Sequence, residues 1–172
     1  MQRIKPWLER EFSFDTPKWM FPHVVERVRG GPARLEDTLR DVSMVALTHR
    51  ETNAWSMQEE AGHLLDIEPL MSERLDQLIS GAQVLKAWDG TNEVTWNAQH
   101  NAKLPADILL AFRQSRRSLV RRFEALPEEI VERAAHHPRL NKPMRVIDLA
   151  VFVTEHDDYH LARISALKRV RT

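Results

Sequence analysis

Apolar residues recur along this chain at intervals of three and four, the period of one face of an α-helix, in four separate stretches. The first series is Leu35, Leu39, Val42, Ala46 and His49, with Arg40, Asp41 and Arg50 elsewhere on the circumference. It predicts a long helix opened by Pro32, after a short helix from Pro22 toward Arg29 that stops at Gly30-Gly31. The second stretch, WSMQEEAGHLLDIEPLMSERLDQLISG, starts with Ser56 as N-cap, has Glu59 placed for a capping box, and ends at Gly81. Its face is His63, Ile67, Leu70, Arg74 and Leu78. Pro69 leaves the Leu65 carbonyl without its helical donor, which predicts a kink.

The third helix starts at Pro105 and shows Ile108, Phe112, Ser115, Leu119, Phe123 and Leu126 on one side. The fourth runs from Pro143 to about Val170, with the stripe Leu149, Val153, His156, His160, Ile164 and Leu167. Residues 83–103 have weak periodicity and read as a long connection, HHPRLNKP reads as a loop, and strand-like alternation is essentially absent. Four amphipathic helices imply an all-α four-helix bundle with a short N-terminal helix and a long crossover between the second and third long helices. At 172 residues the chain fits one domain, with 1–20 as an irregular arm containing Trp7, Phe12 and Phe14.

Charge changes the picture by exclusion. Lys and Arg total 25 and Asp and Glu total 25, so no overall field favours nucleic acid, and the local cluster Arg116, Arg117, Arg121 and Arg122 reads as a solvated helix face. With no cysteine there is no disulfide, no thiolate metal site and no internal thiol nucleophile. The N-terminus lacks the apolar core of a signal peptide and no stretch is long enough to span a bilayer, so a cytoplasmic protein without a membrane partner is expected. Sequence signatures of serine hydrolases, P-loops and dinucleotide sites are missing, and adjacent pairs such as Glu59-Glu60 and Asp157-Asp158 point to different sides of a helix.

The candidate chemistry lies in the histidines. His156 and His160 replace aliphatic residues on the inward stripe of the fourth helix, and His63 sits on or beside the core stripe of the second. Spacing leaves two readings open: three nitrogen ligands around one divalent cation, or core histidines bonded singly to carbonyls. Three neutral ligands would leave a cation its full charge to act on a water or a thiol. Asp66, Asp157 and Asp158 are the acidic neighbours available to orient the rings. His49 reads as a cation at a helix C-terminus, His136 and His137 as loop residues, and His23 as part of the short helix. His100, Tyr159 and Arg163 are the weaker candidates for a pocket.

Trp55, Ser56, Gly62, His63 and Leu64 in one segment, and His156 with His160 in a distant one, resemble the DinB-like superfamily. That superfamily includes YfiT-type metal-dependent hydrolases and the bacillithiol and mycothiol S-transferases. The similarity extends from about Phe21 to Leu167. It implies an up-down-down-up-like bundle, often a homodimer, with a metal site at His63, His156 and His160 holding zinc, nickel or manganese. The expected function is a metal-dependent hydrolase or thiol S-transferase acting on a small-molecule substrate, with any low-molecular-weight thiol supplied from outside the chain. A metal-stabilised binding or stress-response protein without turnover is the alternative.

Overall fold

The computed structural model describes residues 3–52 and 54–171. Among them the regular elements are α1 (Phe21–Leu39), α2 (Met44–Thr48), α3 (Met57–Asp66), α4 (Glu68–Ser80), α5 (Glu93–Asn97), α6 (Pro105–Glu124), β1 (Ala134–His137), β2 (Lys142–Arg145) and α7 (Val146–Arg171). α1 packs against α6 and α7, and α3 packs against the same two, so the four alternate around a shared interior. This is the expected all-α four-helix bundle. α3 and α4 form one long element bent at Ile67, just before Pro69, and residues 82–104 make the crossover, with α5 as its helical turn. Gly81 ends α4 in the left-handed conformation (φ 78°), as a glycine C-cap should.

Two boundaries differ from the periodicity. α1 runs straight through Gly30, Gly31 and Pro32, fusing the expected short helix with the start of the first long one. It then ends at Leu39; Asp41 turns the chain at φ 63°, Ala46 falls in α2, and His49 follows α2 as its C-cap. The reason lies in the packing. A Cβ at position 31 would collide with Asp157 Oδ2 and Arg116 Nη1, so glycine is what lets those side chains reach the helix surface. Pro32 deprives the Val28 carbonyl of its helical donor. Arg116 Nη1 supplies one at 3.1 Å.

Arg116 therefore departs from the solvated face that its basic neighbours suggest. It is 2% exposed, while Arg117 and Arg121 are exposed as expected. Its guanidinium donates to Glu68 Oε1 from Nε (3.0 Å) and Nη2 (2.8 Å), and to Asp157 from Nη1 (2.5 Å) and Nη2 (2.9 Å). Along every helix that contributes, this layer separates apolar neighbours: Val28 from Leu35, Leu64 from Met71, Phe112 from Leu119, and Val153 from Leu161. The first of each pair on α1 and α7 belongs to one apolar cluster and the second to another, with the reverse order on α3–α4 and α6. The interior is thus two apolar clusters with an ionic layer between them.

Residues 136–143, read as a loop leading into a helix at Pro143, instead lie in an antiparallel hairpin that pairs Ala134 with Arg145 and His137 with Lys142, and α7 starts only at Val146. Four-residue strands are too short to show a period of two in sequence. The N-terminal arm is strapped across α7 by Arg10 to Glu155 Oε2 (2.6 Å), by Arg145 to the Phe14 and Thr16 carbonyls (3.0 Å each), and by Lys142 to the Phe12 carbonyl. It lays Trp7 edge-on against Phe152 and His156. Replacing Arg116 with Ala would leave Glu68 and Asp157 buried without their cation, an expected loss of about 3–5 kcal/mol. Urea unfolding monitored by circular dichroism measures it, and an unchanged midpoint would contradict the layer's role.

Candidate metal centre

The capping box at the start of α3 forms as read: Ser56 Oγ accepts from the Glu59 N–H (3.1 Å) and Glu59 Oε2 accepts from the Ser56 N–H (2.9 Å). With that end fixed, Glu60 and His63, three residues apart, share one face of α3 and meet α7. On α7, His156 and His160 are one turn apart, with their Nε2 atoms 3.2 Å from each other. One nitrogen of each of His63, His156 and His160 lies within 4.8 Å of the other two, and all three rings are buried. Two nitrogens on a tetrahedral cation, each at 2.0–2.1 Å, stand roughly 3.4 Å apart. The α7 pair already has that separation, and small ring rotations close the third.

The remaining ring nitrogens are spoken for. His160 Nδ1 lies 2.6 Å from Glu60 Oε2, an acceptor, so Nδ1 carries a hydrogen and Nε2 is the nitrogen presented to the cluster. The other oxygen of Glu60 accepts from Arg163 Nε at 2.5 Å. His63 Nδ1 is 2.9 Å from Thr95 Oγ1, which turns its Nε2 toward the cluster. Burial first, and then the charge of His160, pushes His63 down to about 2. His156 is held well below its ordinary value by burial and by His160, His63, Arg116 and Arg139. Both rings are neutral at physiological pH, the form a cation requires, so protons compete for them only well below 6.5. A donor set of nitrogen alone, oriented by a carboxylate, suits zinc or nickel better than magnesium or calcium.

The acidic residues adjacent in sequence do other work. Asp157 belongs to Arg116, Asp158 bonds Arg27 at 3.2 Å and also pairs with Arg34, and Asp66 binds His100 Nε2 at 2.8 Å. Ring orientation falls instead to Glu60 and Thr95. Glu60 could have been found from its place three residues before His63; Thr95, in the crossover, left no signal. His100 does not line the pocket. It packs behind α3, where Gly62 leaves room for its ring, and is 1% exposed.

Tyr159 and Arg163, the other two candidates, do line a cavity of about 660 Å³ that opens directly onto the three imidazoles. Its walls include five aromatic side chains besides Tyr159: Trp7 from the arm, Trp55 tilted against His63 (4.7 Å between centroids), Trp88 and Trp96 from the crossover, and Phe152 from α7. His137, read as a loop residue, is buried on β1 and also faces this space.

The chain belongs to the DinB superfamily, whose family model matches residues 27–164. Among solved structures it is similar to YfiT from Bacillus subtilis, with a TM-score of 0.78 and 17% sequence identity over 94% of this chain and 93% of that one. That protein is described as a probable metal-dependent hydrolase with an unusual four-helix bundle topology. No curated protein sequence matches the chain. Among the described residues no helix is long and apolar enough to cross a membrane.

Two outcomes are expected. Glu60→Gln should weaken metal binding by about 10- to 100-fold, as loss of an orienting carboxylate does, measurable by competition with a chromogenic chelator. In metal-free protein, His63, His156 and His137, the last pushed down to about 4 by burial and then by Arg74 and Arg139, stay neutral where unfolded imidazoles, at 6.5, take up protons. The unfolded state then binds more protons, so stability is full above 6.5 and declines as pH falls below it. Thermal melts from about pH 7.5 to about pH 5 should show a falling midpoint, and a rising one would contradict the burial of neutral rings.

Proposed function

We propose that the protein is a metal-dependent enzyme in which His63, His156 and His160 hold a divalent cation (zinc, nickel or manganese) beside a chamber that admits a small electrophilic substrate. The observation that carries this reading is that the three imidazoles form part of the wall of a cavity of about 660 Å³. A site serving stability alone needs a closed shell and no chamber, which disfavours a metal-stabilised protein without turnover. When bound, such a cation supplies Lewis-acid chemistry, the lowering of the pKa of water or of a thiol.

The chain's own residues supply position and environment. Glu60 keeps the proton on His160 Nδ1, and aromatic side chains give the chamber an apolar lining beside the imidazoles. The Tyr159 hydroxyl, within 3.4 Å of Arg163 Nη1, faces the chamber as a donor to substrate. Because the chain has no cysteine, transfer to a thiol requires a low-molecular-weight thiol as cosubstrate, and hydrolysis requires only water.

His156→Ala and His160→Ala are expected to abolish stoichiometric metal in gently purified protein, as read by elemental analysis. Full metal content in both variants would refute the ligand assignment. A panel of small electrophiles, offered with and without added thiols to the metal-loaded protein, separates thiol transfer from hydrolysis. Absence of any metal-dependent turnover across the panel would count against an enzyme.

A further inference from the structure

The chamber has a second group of polar side chains besides the imidazoles and their partners. Arg74 on α4 is 2% exposed, yet its only hydrogen bond among the described residues is from Nε to the Lys86 carbonyl at 3.0 Å, and no carboxylate faces it. Arg139, in the turn of the hairpin, makes no ion pair among the described residues; its guanidinium lies over the rings of Trp7 (5.8 Å) and Phe152 (5.9 Å), and its Nη2 is buried with no partner among them. His137, 1% exposed, accepts the Leu140 N–H on Nδ1 at 3.3 Å, which places its hydrogen on Nε2. That Nε2 is also buried without a partner. All three residues line the same chamber as the imidazoles.

Buried cations are normally paired, and buried donors normally bonded, because leaving either unsatisfied costs several kcal/mol. Here two guanidiniums and an N–H donor converge with no protein acceptor to meet them. Burial first and then Arg139 lower Arg74, and burial first and then both arginines lower His137. The acid that lines the chamber among the described residues is Glu9, which is exposed. A ligand with a negative, multiply accepting end removes the deficit at once. A carboxylate fits best: its two oxygens offer about four acceptor sites in a plane, matched to guanidinium forks and one imidazole N–H. A ligand anchored there must pass the aromatic walls to reach the histidines, so its body is apolar or aromatic.

We propose that Arg74, His137 and Arg139 form a carboxylate-binding subsite that anchors an organic acid with an apolar body across the chamber. Its role as a substrate anchor rests on the metal-enzyme reading, but its binding does not. The subsite also defines the substrate class: a carboxylic acid whose carboxylate sits on Arg74, His137 and Arg139 while its reactive carbon faces His63, His156 and His160.

The test uses metal-free full-length protein with 3-phenylpropionate, its neutral amide and inorganic phosphate as probes, followed by calorimetry. The acid should bind at least about tenfold more tightly than the amide, and Arg139→Met and His137→Gln should each remove that preference. Because the half-buried Arg139 has no ion pair among the described residues for the free fold to lose, Arg139→Met should keep the thermal midpoint, which loss of a merely structural arginine would not do. Equal binding of acid and amide, loss of stability in Arg139→Met with the acid preference intact, or phosphate binding in place of the acid would each overturn the proposal. Metal content measured in the same variants keeps the two readings apart. Normal metal with no acid preference sinks the subsite alone, and acid preference without metal binding sinks the enzyme reading alone.

Discussion

One guanidinium at mid-height of the bundle sets the positions of four helices. Arg116 on α6 reaches Glu68 on α4, Asp157 on α7 and the Val28 carbonyl on α1, so each helix contributes a group that only this cation satisfies. Such layers stabilise little in net terms, because desolvating three charges offsets most of their attraction. What they enforce is register. A helix that slides by one residue loses its partner and strands a charge, whereas apolar side chains above and below would accept many arrangements.

That register is what the metal centre needs. Asp157 follows His156 directly, and Glu68 begins α4 just past the bend that ends the helix bearing His63. Consecutive residues on a helix point about 100° apart. α7 therefore presents its imidazoles to α3 and its carboxylate to α6 from adjacent positions, and fixing one fixes the other. The electrostatics agree, since Arg116 contributes to keeping His156 neutral. Glu60 extends the same logic, joining His160 on one helix to Arg163 a turn further on from a position on α3.

Features governed by local chemistry were legible in the sequence: the capping box at Ser56 and Glu59, the glycine stop at Gly81, the bend before Pro69, and the four-residue spacing of His156 and His160. The four-helix architecture followed from periodicity, and the metal trio from that architecture together with the family resemblance. What could not be read depended on contacts distant in sequence. Gly30-Gly31-Pro32 has every mark of a helix stop, and it continues as helix because Arg116, more than eighty positions away, fills the space and meets the freed carbonyl. For the same reason Arg116 looked like its exposed neighbours. The acidic residues directly beside the fourth helix's histidines were misleading because adjacency in sequence places side chains on different faces, and Thr95, in the crossover, carried no signal of its bond to His63.

The chamber's two sides are made differently. The imidazoles stand on α3 and α7, locked by the ionic layer, whereas much of the facing wall comes from the arm at Trp7, the crossover at Trp88 and Trp96, and the hairpin turn at Arg139. Irregular segments tolerate substitution and changes of length that helices do not. On the proposed function, reactivity and selectivity are encoded in separable parts of the polypeptide, and a lineage could retune what enters the chamber by editing those borders while the three histidines stayed untouched.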